Sequence, residues 1–109
     1  MMINNKKEYY NELLPFYINL LTEKQQIIMN YYYYEDFSLS EIAELNKTTR
    51  SAIYDSIKKS NIMLENYENK LKLLQKYKNR CIIYNEILSS DNQEINKLIN
   101  KCIEYEEEN

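Results

Sequence analysis

The ten positions from 50 to 59 hold Arg50, Ser51, Tyr54, Lys58 and Lys59. Guanidinium and ammonium groups donate to phosphate oxygens, while a hydroxyl or a phenol can exchange hydrogen bonds with a base edge. That mixture suits contact with double-stranded DNA, where phosphate contacts position a protein and base contacts specify the site. Asp55 falls in the same stretch and would repel phosphate. The competing reading of these residues is an ordinary solvated face on a partner-binding helix. Catalysis has much less to draw on. The 109 residues include no His, which removes the usual general base and the commonest metal ligand. They include no Gly, so no glycine-rich phosphate loop can form. Glu41, Glu44, Glu65 and Glu68 are scattered, and a di-metal site of the Glu-x-x-His kind cannot be built. Cys81 and Cys102 lie outside any CxxC spacing and read as reduced thiols of a cytoplasmic chain. The expectation is a non-enzyme with no catalytic residue, metal or cofactor.

The elements that must carry these residues are helices. Pro occurs once, at Pro15, and the lack of Gly leaves few tight turns, which argues against a sandwich or barrel. Asn, Ile, Lys and Tyr number 15, 14, 12 and 12, all A/T-rich in codon, so part of the skew is genomic drift. Of the tetrad Tyr31–Tyr34, which spans a helical turn, at most two rings can point inward. Capping boxes at Thr22–Gln25, Ser38–Glu41 and Ser90–Gln93, with Thr49 as a further N-cap, predict helices near 6–20, 23–34, 39–45, 50–80 (or on to 88) and 92–106. Pro15 should kink or restart the first of these. No apolar run approaches the ~20 residues of a bilayer span, so no membrane insertion is expected. Net charge is −3, but the distribution is uneven. Residues 46–80 carry 9 basic against 3 acidic side chains, while the end of the chain is acidic, with Glu104 and Glu106–Glu108. Local charge matters more than the total for a DNA-facing surface.

A short helix with Ile42 and the small Ala43, a four-residue turn, then a helix with Ile53 and Ile57 form a helix-turn-helix pattern, these four residues being its core. Placing Ile53 at zero and advancing about 100° per residue, Ile57 and Leu64 stay within about 40°, while Tyr54, Lys58, Ser51 and Asp55 fall at about 100–200°. Glu41-Ile42-Ala43-Glu44, Thr49–Asp55 and Ile57-Lys58-Lys59 resemble the YlxM-like family of small bacterial helix-turn-helix proteins. Leu20–Gln25, Tyr32-Tyr33, Glu35–Leu39, Met63–Glu65, Tyr67-Glu68 and Lys70-Leu71 extend the likeness over about residues 13–78. The resemblance implies an all-α fold like sigma factor region 4, with a three-helix core of winged-helix type lacking the wing and a long C-terminal helical extension. Because that family's genes neighbour the signal recognition particle GTPase, it further implies a DNA-binding regulatory role in that protein-targeting pathway. The alternative is an adaptor that docks on the GTPase, its receptor or its RNA. Turns of this motif often carry Gly where this chain has Lys47, and Asn46 is the neighbour that tolerates left-handed backbone.

Ile53, Ile57, Ser60, Leu64, Tyr67, Leu71 and Leu74 repeat at heptad spacing. The stretch Leu64, Tyr67, Leu71 and Leu74 could pair two copies into a homodimer or fold against the first and last helices. The expected division is a helix-turn-helix domain over 1–80 and an acidic helical segment over 81–109, packed on the core or on a second subunit.

Overall fold

A computed structural model describes residues 6–107 of the chain; Glu108, part of the acidic run, lies outside them. Among the described residues all regular structure is helical, with no strand and hence no wing. The helices are α1 (Lys7–Tyr17), α2 (Glu23–Met29), α3 (Leu39–Leu45), α4 (Arg50–Leu71), α5 (Leu73–Leu88) and α6 (Gln93–Glu107). They form two compact units, the first ending at Leu71 and the second beginning at Lys72. That boundary precedes the expected 80/81 because the long helix does not run to 80. Lys72 takes a left-handed backbone (φ 56°), which ends one helix and starts the next.

In the first unit α1, α2 and α3 pack on α4. Tyr10, Leu13, Leu14 and Tyr17 recur at helical spacing on α1 and are buried. Ile28, Met29, Ile42, Ala43, Ile53, Ile57 and Leu64 complete the core. α1 continues through Pro15 to Tyr17 and then tightens into a 3-10 turn over Ile18–Leu20. Both nearer capping boxes are closed. The Thr22 hydroxyl accepts from Gln25 N and Gln25 accepts from Thr22 N; Ser38 and Glu41 repeat the exchange. The Ser38 N–H holds the Glu41 carboxyl below its usual range. The third cap differs from expectation. Asn92 rather than Ser90 caps α6, its side-chain oxygen accepting from Glu94 N and Ile95 N at 3.1 Å each. Asn92 wins because it lies one residue nearer the helix than Asp91 and two nearer than Ser90.

α2 widens into a π-helical turn over Asn30–Tyr34. Tyr32 and Tyr33 turn inward with rings edge to face at 4.9 Å, Tyr31 stacks on Phe37 at 5.1 Å, and Tyr34 stays exposed. Tyrosine hydroxyls from two elements then hold α4: from α1 Tyr10 donates to Glu65 (3.2 Å) and Tyr17 to the buried Glu68 (2.6 Å), and from the π-helical turn Tyr33 donates to the buried Asn61 (3.0 Å). The last two satisfy buried polar groups that would be expensive to leave unpaired, while Glu65 is half-buried and also pairs with Lys6. Burial, reinforced by Glu65, pushes the Tyr10 phenol up to about 12, and burial raises Tyr32 and Tyr33 as well. A raised folded-state pKa favours the neutral phenol. This stabilisation is complete below the unfolded value of about 10 and is lost as pH rises through the folded values. Alkaline titration followed by tyrosinate absorbance and circular dichroism should therefore show unfolding in step with late tyrosine ionisation. Full ionisation near pH 10 with the helices intact would contradict it.

In the second unit α5 and α6 pack against each other as a hairpin, with Arg80 paired to Glu106. Cys81 is half-buried and Cys102 exposed, both as free thiols. No helix among the described residues is long and apolar enough to cross a membrane.

Candidate nucleic-acid interface

The turn between α3 and α4 fixes how the second helix is presented. Asn46 caps α3 by donating its side-chain amide to Ile42 O (2.8 Å), and Thr48 N donates to Ala43 O (2.9 Å). Lys47 (φ 53°), and not Asn46 (φ −96°), takes the left-handed conformation. The chain must reverse immediately after the α3 C-cap, and that is the position one residue beyond it. The Thr49 hydroxyl accepts from Ala52 N (3.1 Å) and starts α4. Ile42 and Ala43 on α3, and Ile53 and Ile57 on α4, are at most 5% exposed. A Leu at position 43 has no room there. Ala43→Leu should lower stability by typically ~1–3 kcal/mol through overpacking, read as a drop in melting temperature. An unchanged melt would mean that the two helices do not cross at this residue.

With its apolar side locked, α4 turns the rest of its first three turns outward. Arg50, Ser51, Asp55, Lys58 and Lys59 are exposed, and Tyr54 is half-buried at the edge of the arc. Arg50, Lys58 and Lys59 make no ion pair among the described residues, so their charges are available to an outside partner. Beside Lys59 lies a cleft of about 400 Å³ that the sequence did not announce. It runs from Thr22 and Lys24 at the start of α2, past Thr48 in the turn, to Asp55, Ser56 and Lys59 on α4. Residues so far apart in sequence share a cleft only through tertiary packing, which no local spacing encodes.

The heptad residues are divided. Leu64 is fully buried inside the first unit and Tyr67 stacks on Tyr17 at 5.9 Å, so neither presents a free face. Leu71 is 44% exposed, and Leu74, in the second unit beyond the break at Lys72, is buried. No group of three or more Cys, Asp or Glu among the described residues is placed to hold a metal ion.

Known proteins share this pattern. The family model described as "Putative helix-turn-helix protein, YlxM / p13 like" matches residues 4–104. A UPF0122 protein of Clostridium acetobutylicum is 60% identical over 70 residues, covering 64% of this chain and 60% of that protein's length. YlxM of Bacillus subtilis is 46% identical over 94 residues, covering 82% of this chain and 86% of that one. A UPF0122 protein of Clostridium perfringens is 49% identical over 84 residues, covering 77% and 75%. On the match along almost its whole length, joined to the helix-turn-helix geometry of α3 and α4, the chain belongs to the YlxM/p13-like family of helix-turn-helix proteins.

Proposed function

We propose that this protein binds double-stranded DNA through the first three turns of α4 and acts as a regulator. One observation carries the reading: Arg50, Ser51, Lys58 and Lys59 are exposed on a helix whose opposite side is locked to α3 by Ile53 and Ile57. A helix so mounted can enter a major groove with its N-terminal residues toward the bases. Arg50, Lys58 and Lys59 neutralise phosphates, while Ser51 and Tyr54 lie toward base edges. The family resemblance supports reading that role as one in the signal recognition particle protein-targeting pathway. The test is fluorescence anisotropy of labelled duplexes, random and from the protein's own upstream region, at several salt concentrations. Three phosphate contacts give a log–log salt slope of roughly −2.7 or steeper.

A second reading makes the chain an adaptor for the signal recognition particle GTPase, its receptor or its RNA. The exposed Leu45 beside Glu41 and Glu44 on α3 favours it, because an acidic and apolar face is one that DNA avoids. Flat titrations for every duplex would reject the first reading and leave the second.

A further inference from the structure

The cleft between α2 and α4 holds Lys24 and Lys59, and neither ammonium has an ion-pair partner among the described residues. The two lysines come from different helices, and three hydroxyls, those of Thr22, Thr48 and Ser56, line the space with them. The Thr22 hydroxyl accepts from Gln25 N in the capping box, which leaves its own hydrogen to donate. Ile28 and Ile53 form the apolar floor, and Asp55 is the one acidic group in the lining. The volume of about 400 Å³ is far above the ≈30 Å³ share of one water molecule, so a hydrated anion has room.

The position of the cleft selects the anion. A major groove about 12 Å wide is filled by a helix about 10–12 Å across, so the flanks of the helix meet the phosphate walls on either side. Lys59 projects about 100° round α4 from Lys58, away from the arc of Tyr54, Lys58 and Ser51 and toward one wall of the groove. Lys24 and Thr48 stand on the Lys59 side only. We propose that a backbone phosphate of bound duplex DNA sits in this cleft, held by Lys24 and Lys59 and by the hydroxyls of Thr22, Thr48 and Ser56. The footprint of the protein thus extends beyond the helix-turn-helix to the first turn of α2. The proposal rests on the DNA-binding reading above and adds to it a contact from a third helix.

The experiment compares salt slopes on one random duplex for the full chain and for Lys24→Ala, Lys58→Ala and Lys70→Ala. Lys70 is exposed near the far end of α4 and controls for loss of a charge anywhere. Circular dichroism checks that each variant is folded. With Lys24 as a fourth contact the wild-type slope is roughly −3.6, and Lys24→Ala should bring it to roughly −2.7. Between about 50 and 200 mM salt, the loss of affinity should then be about 3–4-fold smaller than for the unaltered chain. Lys70→Ala should leave the slope alone, and the ranking of different duplexes should not change with Lys24→Ala. An unchanged slope for Lys24→Ala beside a shallower one for Lys58→Ala would overturn the cleft and leave DNA binding intact. Equal changes for Lys24→Ala and Lys70→Ala would overturn it too, as general electrostatics. Absence of any salt-dependent duplex binding by the unaltered chain would remove both proposals together.

Discussion

Replacing Leu64 with Ala should destabilise the first unit by about 2–5 kcal/mol, the range for emptying a fully buried leucine site. Leu64 is 0% exposed and lies on α4 between Asn61 and Glu68, which accept the hydroxyls of Tyr33 and Tyr17. Against a typical domain stability of roughly 5–15 kcal/mol, such a loss consumes a large share of the whole. In urea the midpoint should fall with little change in slope. Leu71 is the informative comparison. It occupies the same heptad row but is 44% exposed, so Leu71→Ala should stay within about 0.5 kcal/mol. Equal effects at the two sites, or effects that grow on dilution, would instead indicate a seam between two copies.

The second large effect is on DNA. With Arg50, Lys58 and Lys59 each neutralising one phosphate, these three contacts alone should make affinity drop about 40-fold between roughly 50 and 200 mM salt, and Lys24 as a fourth steepens the drop further. Lys58→Ala removes about 0.9 from the slope, so the same change of salt costs about 3–4-fold less than for the unaltered chain. Sequence preference should survive that substitution, because a phosphate contact carries no base information. Ser51→Ala or Tyr54→Phe should do the reverse, altering the ranking of duplexes with little change in slope. Asp55 supplies the internal control. It is exposed on the same arc and lines the cleft beside Lys59, so Asp55→Asn removes a repulsion and should tighten binding to every duplex. Binding that is indifferent to Asp55→Asn and to Lys58→Ala alike would mean that this arc does not meet DNA.

What could be read from the sequence was local. The boxes at Thr22 and Ser38 span three residues each, and nothing distant competes with them. That at most two rings of the tyrosine tetrad turn inward follows from helical geometry, but the π-helical turn that selects Tyr32 and Tyr33 left no signal. The break at Lys72 was invisible for the opposite reason. Its neighbours Leu71, Leu73 and Leu74 keep an apolar rhythm through the junction, and Lys is an ordinary helix former, so pattern and propensity both favour one long helix. The cations on α4 could be gathered from sequence because they lie within three turns. Lys24 could not, since its proximity to Lys59 exists only after α2 has docked.

The left-handed residues bear on how this chain can drift. Asp36, Lys47 and Lys72 have φ of 57°, 53° and 56°, in a sequence without one glycine to relieve such positions. A side chain in that conformation carries roughly 1–2 kcal/mol per residue, least for Asn or Asp and most where the β-carbon is branched. The genetic code brings both kinds of residue within one base of lysine. From a lysine codon, a change in the last base yields Asn, which fits the junction better than Lys does. In the codon AAA, a middle base changed to T yields Ile, whose branched β-carbon fits the junction worse. At Lys47 and Lys72 the backbone thus tolerates Asn and penalises Ile.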